Sequence, residues 1–316
     1  MFSSLDNLSL HIGLPKTGTT SLQSALSGVK GYAGRGGPNG IPGLGKEIRR
    51  IMLTNSPDVW LNDVTAEIRS GLVRAVEKSA FLSPRNGKSA IYSFENLLFT
   101  DFFVDERSWY QGSAAYTSVD HIRNIIWQCF PKLKELKILI TVRKQPDWLA
   151  SLYAQYSNRI YCASQAHFEK QVKRTIRRFA AVPPLDLELL VAEAESKLQP
   201  STLVVLPVEA ISSEAFWENI NVWMPLKSFN PSDYPKVTLN KRSSVANHWA
   251  LRPYRDPPRT KLNRLCRKLK CRTRNPNLQR RLGIELSSDL RTTIELVYLE
   301  SNKELNRYFP DLITKY

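Results

Sequence analysis

The chain has 316 residues, 42% of them apolar and seven of them tryptophan, enough to bury a large core, which excludes a disordered chain. Its 45 lysines and arginines against 29 acids leave a net charge of +16, so an anionic partner is expected at its surface or in a site. No apolar run approaches the roughly 20 residues of a membrane-spanning helix; strand-like residues begin near Leu8, which leaves no room for a signal peptide and predicts a cytoplasmic protein.

Short β-like runs alternate with longer helical ones, the pattern of an α/β fold with a parallel sheet covered by helices. Leu8 to Ile12 reads as the first strand and Thr19 to Leu26 as the first helix. Residues 28–45 hold eight of the fourteen glycines and read as a flexible loop with room for a ligand nearby. A helix is predicted over 63–78, then a strand from Ser89 to Phe94 that ends at Glu95, then a helix over 119–130. Leu136 to Val142, LKILITV, is the clearest buried strand; Arg143 follows it, and Pro146 stands at the first turn of a helix running through DWLASLYAQYS.

Helices over 168–181 and 187–197 precede a strand at 202–206, a helix through FWENINVWM and a closing helix from Leu290 to Phe309 that can pack on the sheet. The whole chain, 1–316, reads as one domain. Between Arg252 and Arg281 twelve lysines and arginines meet one acid, Asp256, and this segment reads as a basic, movable insertion. The four cysteines include no Cys-x2-Cys pair and no histidine at zinc spacing, so they read as structural thiols and no metal is expected.

The chemistry concentrates in LSLHIGLPKTGTTSLQSAL, Leu8 to Leu26. Gly13 and Gly18 have the spacing of the nucleotide loop GxxxxGK[ST], but Thr19 fills the lysine place and Lys16 lies inside the loop. A Gly- and Thr-rich turn that opens a helix presents backbone N–H groups at the positive end of that helix, a site for one phosphate-like group. PKTGTTSL after a strand resembles the 5′-phosphosulfate loop of sulfotransferases that use 3′-phosphoadenylyl sulfate (PAPS) and release 3′-phosphoadenosine 5′-phosphate (PAP). The resemblance implies a P-loop-type sheet. It also implies that Lys16, Thr17, Gly18, Thr19, Thr20 and Ser21 hold the 5′-phosphosulfate, with Lys16 near the leaving oxygen. The family's second signature is an arginine at a strand end and a serine eight residues on, gripping the 3′-phosphate; Arg143 and Ser151 match it. Without the first loop they would read as an ordinary strand-end arginine and a surface serine.

Sulfuryl transfer to a hydroxyl needs a base, and Glu95 ends its strand at the same edge of the sheet as Lys16 and Arg143. In Ser93-Phe94-Glu95 it is similar to the base of glycan sulfotransferases, which implies an acceptor hydroxyl on a carbohydrate; a small-molecule or lipid alcohol remains the alternative. A helix cap or an ion pair with Lys88 is the bland role for Glu95, and His11 beside the loop reads as a packing residue before it reads as a base. Trp109, Tyr110 and Tyr116 could stack on a sugar or belong to the core. A P-loop kinase would need a metal carboxylate where Arg143 stands. A nucleic-acid binder is disfavoured because Tyr254 is the sole aromatic residue between Arg252 and Arg281. Leu262, Leu265 and Leu269 lie on one helical face amid cations, which predicts contact of 252–281 with an anionic acceptor or an anionic membrane surface.

Overall fold

The computed structural model describes residues 4–83, 87–95, 98, 118–160, 163–181, 185–226, 248–254 and 283–309, and of Phe94, Glu95, Phe179 and Asn306 the backbone alone. Four strands run parallel at its centre: β1 (Asn7–Gly13), β3 (Gly87–Glu95), β4 (Glu135–Val142) and β5 (Thr202–Pro207). A short strand, β2 (Phe81–Ser83), pairs antiparallel with β3, which gives the order β2-β3-β1-β4-β5. All seven residues of β1 are buried, a strand covered on both faces, although NLSLHIG alternates in polarity: Leu8, Leu10 and Ile12 enter the apolar core, and Asn7, Ser9 and His11 on the opposite face are hydrogen-bonded.

Helices cover both faces. The alternation of β4 sorts them: Ile138, Ile140 and Val142 face the larger core, whereas Leu139 faces a smaller one. To the larger core belong apolar residues of α2 (Leu44–Thr54), α3 (Ala66–Ser79), α4 (Ser118–Cys129), α5 (Gln145–Tyr156), α6 (Gln165–Phe179) and α7 (Leu187–Leu198). On the other face Leu22 and Leu26 of α1 (Thr19–Leu26) meet Phe216, Trp217, Ile220 and Trp223 of α8 (Glu214–Trp223). Ser164, Asp186 and Ser213 each accept the backbone N–H three residues on and so cap α6, α7 and α8. Among the described residues no helix is long and apolar enough to cross a membrane.

Three expectations change. The glycine-rich stretch is not wholly open: Tyr32 bridges to Ile91 and is 1% exposed, and α2 starts at Leu44, inside the expected loop. The closing helix breaks at Tyr298 into α9 (Ser288–Val297) and α10 (Leu299–Glu304), which pack on α5 and α7. Beyond the expected strands, β6 (His248–Ala250) and β7 (Gly283–Glu285) form a separate antiparallel pair. Residues 255–282, which carry nearly all of the basic run, lie outside the described residues, as do Trp109, Tyr110 and Tyr116.

Candidate functional site: a loop at the carboxyl edge of the sheet

Gly13 is the register partner of Glu95 on one side and of Thr141 on the other, so β1, β3 and β4 deliver their carboxyl ends to one edge. Pro207 ends β5 opposite Val142 at the same edge. Open parallel sheets gather ligands there because loops leave the strands in that direction and helix N-termini point toward them. Glu95 thus has its backbone beside the start of the loop; its side chain lies outside the described residues.

Between β1 and α1 the loop turns sharply. Lys16 has φ 70° and Gly18 φ 72°, both left-handed, a conformation that costs a residue with a side chain about 1–2 kcal/mol. At Gly18 a side chain would also collide with Val208. Gly13 is tight for another reason, since a Cβ there would run into the Thr19 methyl and the His11 ring. Left-handed residues placed along a turn direct neighbouring N–H groups inward, the backbone shape of an anion-binding concavity.

The carbonyls of the loop are held from behind. Leu14 O accepts the Thr17 hydroxyl at 2.6 Å, Pro15 O accepts the Trp148 indole N–H at 2.8 Å, and Lys16 O accepts Arg143 Nη1 at 3.1 Å. Three successive carbonyls are thus each engaged by a side-chain donor, and the Thr17 N–H also goes to Leu14 O. α1 begins at Thr19 with Gly18 before it and no side chain capping its first turn, unlike α6, α7 and α8. A helix start of this kind is where an anion is favoured. Thr20 is exposed there, while Thr17, Thr19 and Ser21 are buried.

Arg143 therefore meets the loop itself, which ties the two sequence signatures to one place. Ser151 is 7% exposed, and its hydroxyl accepts the Trp249 indole N–H at 2.9 Å. That bond uses one lone pair and leaves the O–H to donate. Glu209, just past β5, accepts the Lys144 amide at 3.2 Å and stands within electrostatic reach of Arg143. Its place at this edge could be read from the strand before it, whereas the Trp148 clamp could not, because a helix-borne indole gives no local sign of reaching a loop more than a hundred residues away.

His11 is fully buried, and burial pushes its imidazole down to about 3, so it is neutral. Its Nδ1 lies 2.8 Å from Ser93 Oγ and its Nε2 3.1 Å from Thr141 Oγ1, so both nitrogens are engaged inside the protein. Lys88 pairs with Glu77. Cys129 is buried, its thiol pushed up to about 12 by burial, which makes it an inert packing group. Among the described residues no group of three or more His, Cys, Asp or Glu side chains is arranged to hold a metal ion. No protein-family model matches the chain, and no curated protein matches it.

Proposed function

We propose that the protein is a PAPS-dependent sulfotransferase on a P-loop-type sheet, which moves a sulfuryl group to an acceptor hydroxyl, most simply one on a carbohydrate. The observation that carries this reading is the bond from Arg143 to the Lys16 carbonyl, which unites two sequence signatures 127 residues apart at one anion-receptive loop. PAPS supplies the sulfuryl group and departs as PAP; the balance is acceptor O–H plus PAPS giving acceptor O–SO3⁻, PAP and one proton.

The residues fit such a group. The loop and the start of α1 suit the 5′-phosphosulfate, together with the hydroxyls of Thr19, Thr20 and Ser21, while Thr17 braces the loop by giving its hydroxyl hydrogen to the Leu14 carbonyl. Lys16 brings a cation to the oxygen on which negative charge grows as the S–O bond breaks, the placement that lowers a barrier in a site prepared for that charge. Arg143 offers a guanidinium, and Ser151 a hydroxyl oriented by Trp249, to the 3′-phosphate. Glu95, at the strand end beside Gly13, takes the proton of the acceptor hydroxyl. No step requires a metal ion.

Thermal unfolding tests the reading. PAP at about a hundred times its dissociation constant should stabilise the protein by about 2.7 kcal/mol, and the same concentration of ATP with Mg²⁺ by much less. Greater stabilisation by ATP with Mg²⁺ would sink the proposal in favour of a kinase.

A further inference from the structure

Beneath the loop lies a buried row of polar side chains that crosses three strands. Gln23 Nε2 donates to Ser93 Oγ at 3.3 Å; Ser93 Oγ lies 2.8 Å from His11 Nδ1; His11 Nε2 lies 3.1 Å from Thr141 Oγ1; and Thr141 Oγ1 lies 2.9 Å from Thr17 Oγ1. Thr17 then donates to the Leu14 carbonyl at 2.6 Å. All five side chains are buried. Buried polar groups need partners, and each hydroxyl has one hydrogen to give, so the direction of the row follows by counting.

Thr17 gives its only hydroxyl hydrogen to Leu14, so the contact between Thr17 and Thr141 must use the hydrogen of Thr141. Thr141 then has none for His11, and the bond between them requires an N–H at Nε2. A neutral ring with its hydrogen on Nε2 has a lone pair on Nδ1, which accepts from Ser93. The Ser93 oxygen is free to accept from Gln23. The phenol of Tyr32 gives its hydrogen to the Arg35 carbonyl at 3.1 Å and also lies against Ser93, so it competes with His11 Nδ1 for the one hydrogen of Ser93, while the bonds from His11 to Leu14 are fixed from the Leu14 end. From His11 to Leu14 every close pair receives one hydrogen, and every bond points the same way.

We infer that His11 is a positioning residue, locked as the Nε2–H tautomer at the centre of a one-way hydrogen-bond relay that shapes the anion loop through Thr141 and Thr17. The relay ends on the Leu14 carbonyl, the first of the three that side-chain donors hold. On the other side of His11, Ser93 is two residues before Glu95 on β3, so one buried row reaches both the loop and the strand end that carries the base. Moving the ring hydrogen to Nδ1 would leave Thr141 and His11 facing each other with two lone pairs, or would draw the Thr141 hydrogen away from Thr17. That the shaped loop serves a nucleotide rests on the sulfotransferase reading; the relay itself does not.

Nitrogen-15 spectra of the histidine rings in the 316-residue chain read the tautomer directly. The Nε2–H form is expected for His11, and an Nδ1–H form overturns the relay. Three variants supply the second readout. In His11→Gln the amide nitrogen reaches the place of Nε2 and can still donate to Thr141; in His11→Asn the amide reaches only the place of Nδ1; Thr141→Val cuts the row on the far side. Backbone amide resonances of residues 17–21 should stay in place in His11→Gln and move in both other variants. The dissociation constant for PAP should rise about tenfold in His11→Asn and Thr141→Val, the equivalent of one net hydrogen bond, and less than about threefold in His11→Gln. Equal displacement of the loop resonances in the Gln and Asn variants overturns the inference, since a purely space-filling role makes them alike. A wild-type protein that binds no PAP defeats the functional reading, while the tautomer and the loop resonances still decide the relay.

Discussion

Lys16 combines two demands on one residue. Its backbone is left-handed, where glycine would be at ease, yet its side chain is the cation that the chemistry asks for. The two can be separated. Lys16→Gly and Lys16→Ala both lose the ammonium and should both lower kcat by on the order of 10²–10³. The glycine variant should be more stable than the alanine variant by about 1–2 kcal/mol, because only alanine retains the strain of a positive φ; equal melting temperatures would show that the turn relaxes. Glu95→Gln keeps the size of the side chain and removes its capacity to take a proton. Turnover should fall by roughly 10²–10⁴ with PAP affinity unchanged, and the acidic limb of kcat/KM should disappear. Near-normal turnover with the same limb would transfer the base to water, since both nitrogens of His11 are committed inside the protein.

Single elements show how far the sequence could be read. Strand, loop and helix from Asn7 to Leu26 were plain, because a fully buried run, two spaced glycines and an apolar helical spacing coincide. The helix Leu44–Thr54 was hidden although Leu44, Ile48, Ile51 and Met52 have the right period, because it begins amid the glycines of the preceding stretch. Three-residue β2 is too short to show any period. At the site, Lys16 and Arg143 were recoverable from local motifs, whereas their meeting depends on the sheet register and on α5. Trp148, on the first turns of α5, holds the Pro15 carbonyl, and Trp148→Phe removes that donor while keeping an aromatic ring. Leaving the buried carbonyl unsatisfied should cost about 1–3 kcal/mol of stability and weaken PAP binding along with it. Loss of stability with full PAP affinity would mean that the clamp serves the core and not the loop.

For the whole molecule, acid is the condition that separates the folded state from the unfolded one. Burial pushes His11 from the ordinary 6.5 to about 3 and His121 to about 4, so both are neutral when folded and take up protons more readily when unfolded. Their stabilising contribution is complete above about pH 6.5 and is lost as pH falls toward the folded values, by up to about 1.4 kcal/mol per pH unit for each histidine. Urea midpoints measured between pH 7 and pH 4 should fall accordingly, and His11→Gln should flatten the curve; a pH-independent midpoint would contradict the burial of both rings. The small β6–β7 ladder has a different kind of consequence. Ala250 and Gly283 are register partners, β6 is tied to α5 through Trp249 and Ser151, and β7 is tied to α6 by two bonds between Glu285 and Gln165. The two ends that flank residues 255–282 are therefore held side by side, and the cationic sequence between them can be exchanged as a unit. Exchanging residues 255–282 for about ten Gly/Ser residues spans the gap at ~5–6 Å × √n. Each halving of the loop returns about 0.6 kcal/mol of closure entropy. Melting temperature and PAP affinity should survive the exchange while KM for an anionic acceptor rises, so that the charge a partner meets and the free energy that holds the fold can be altered one without the other.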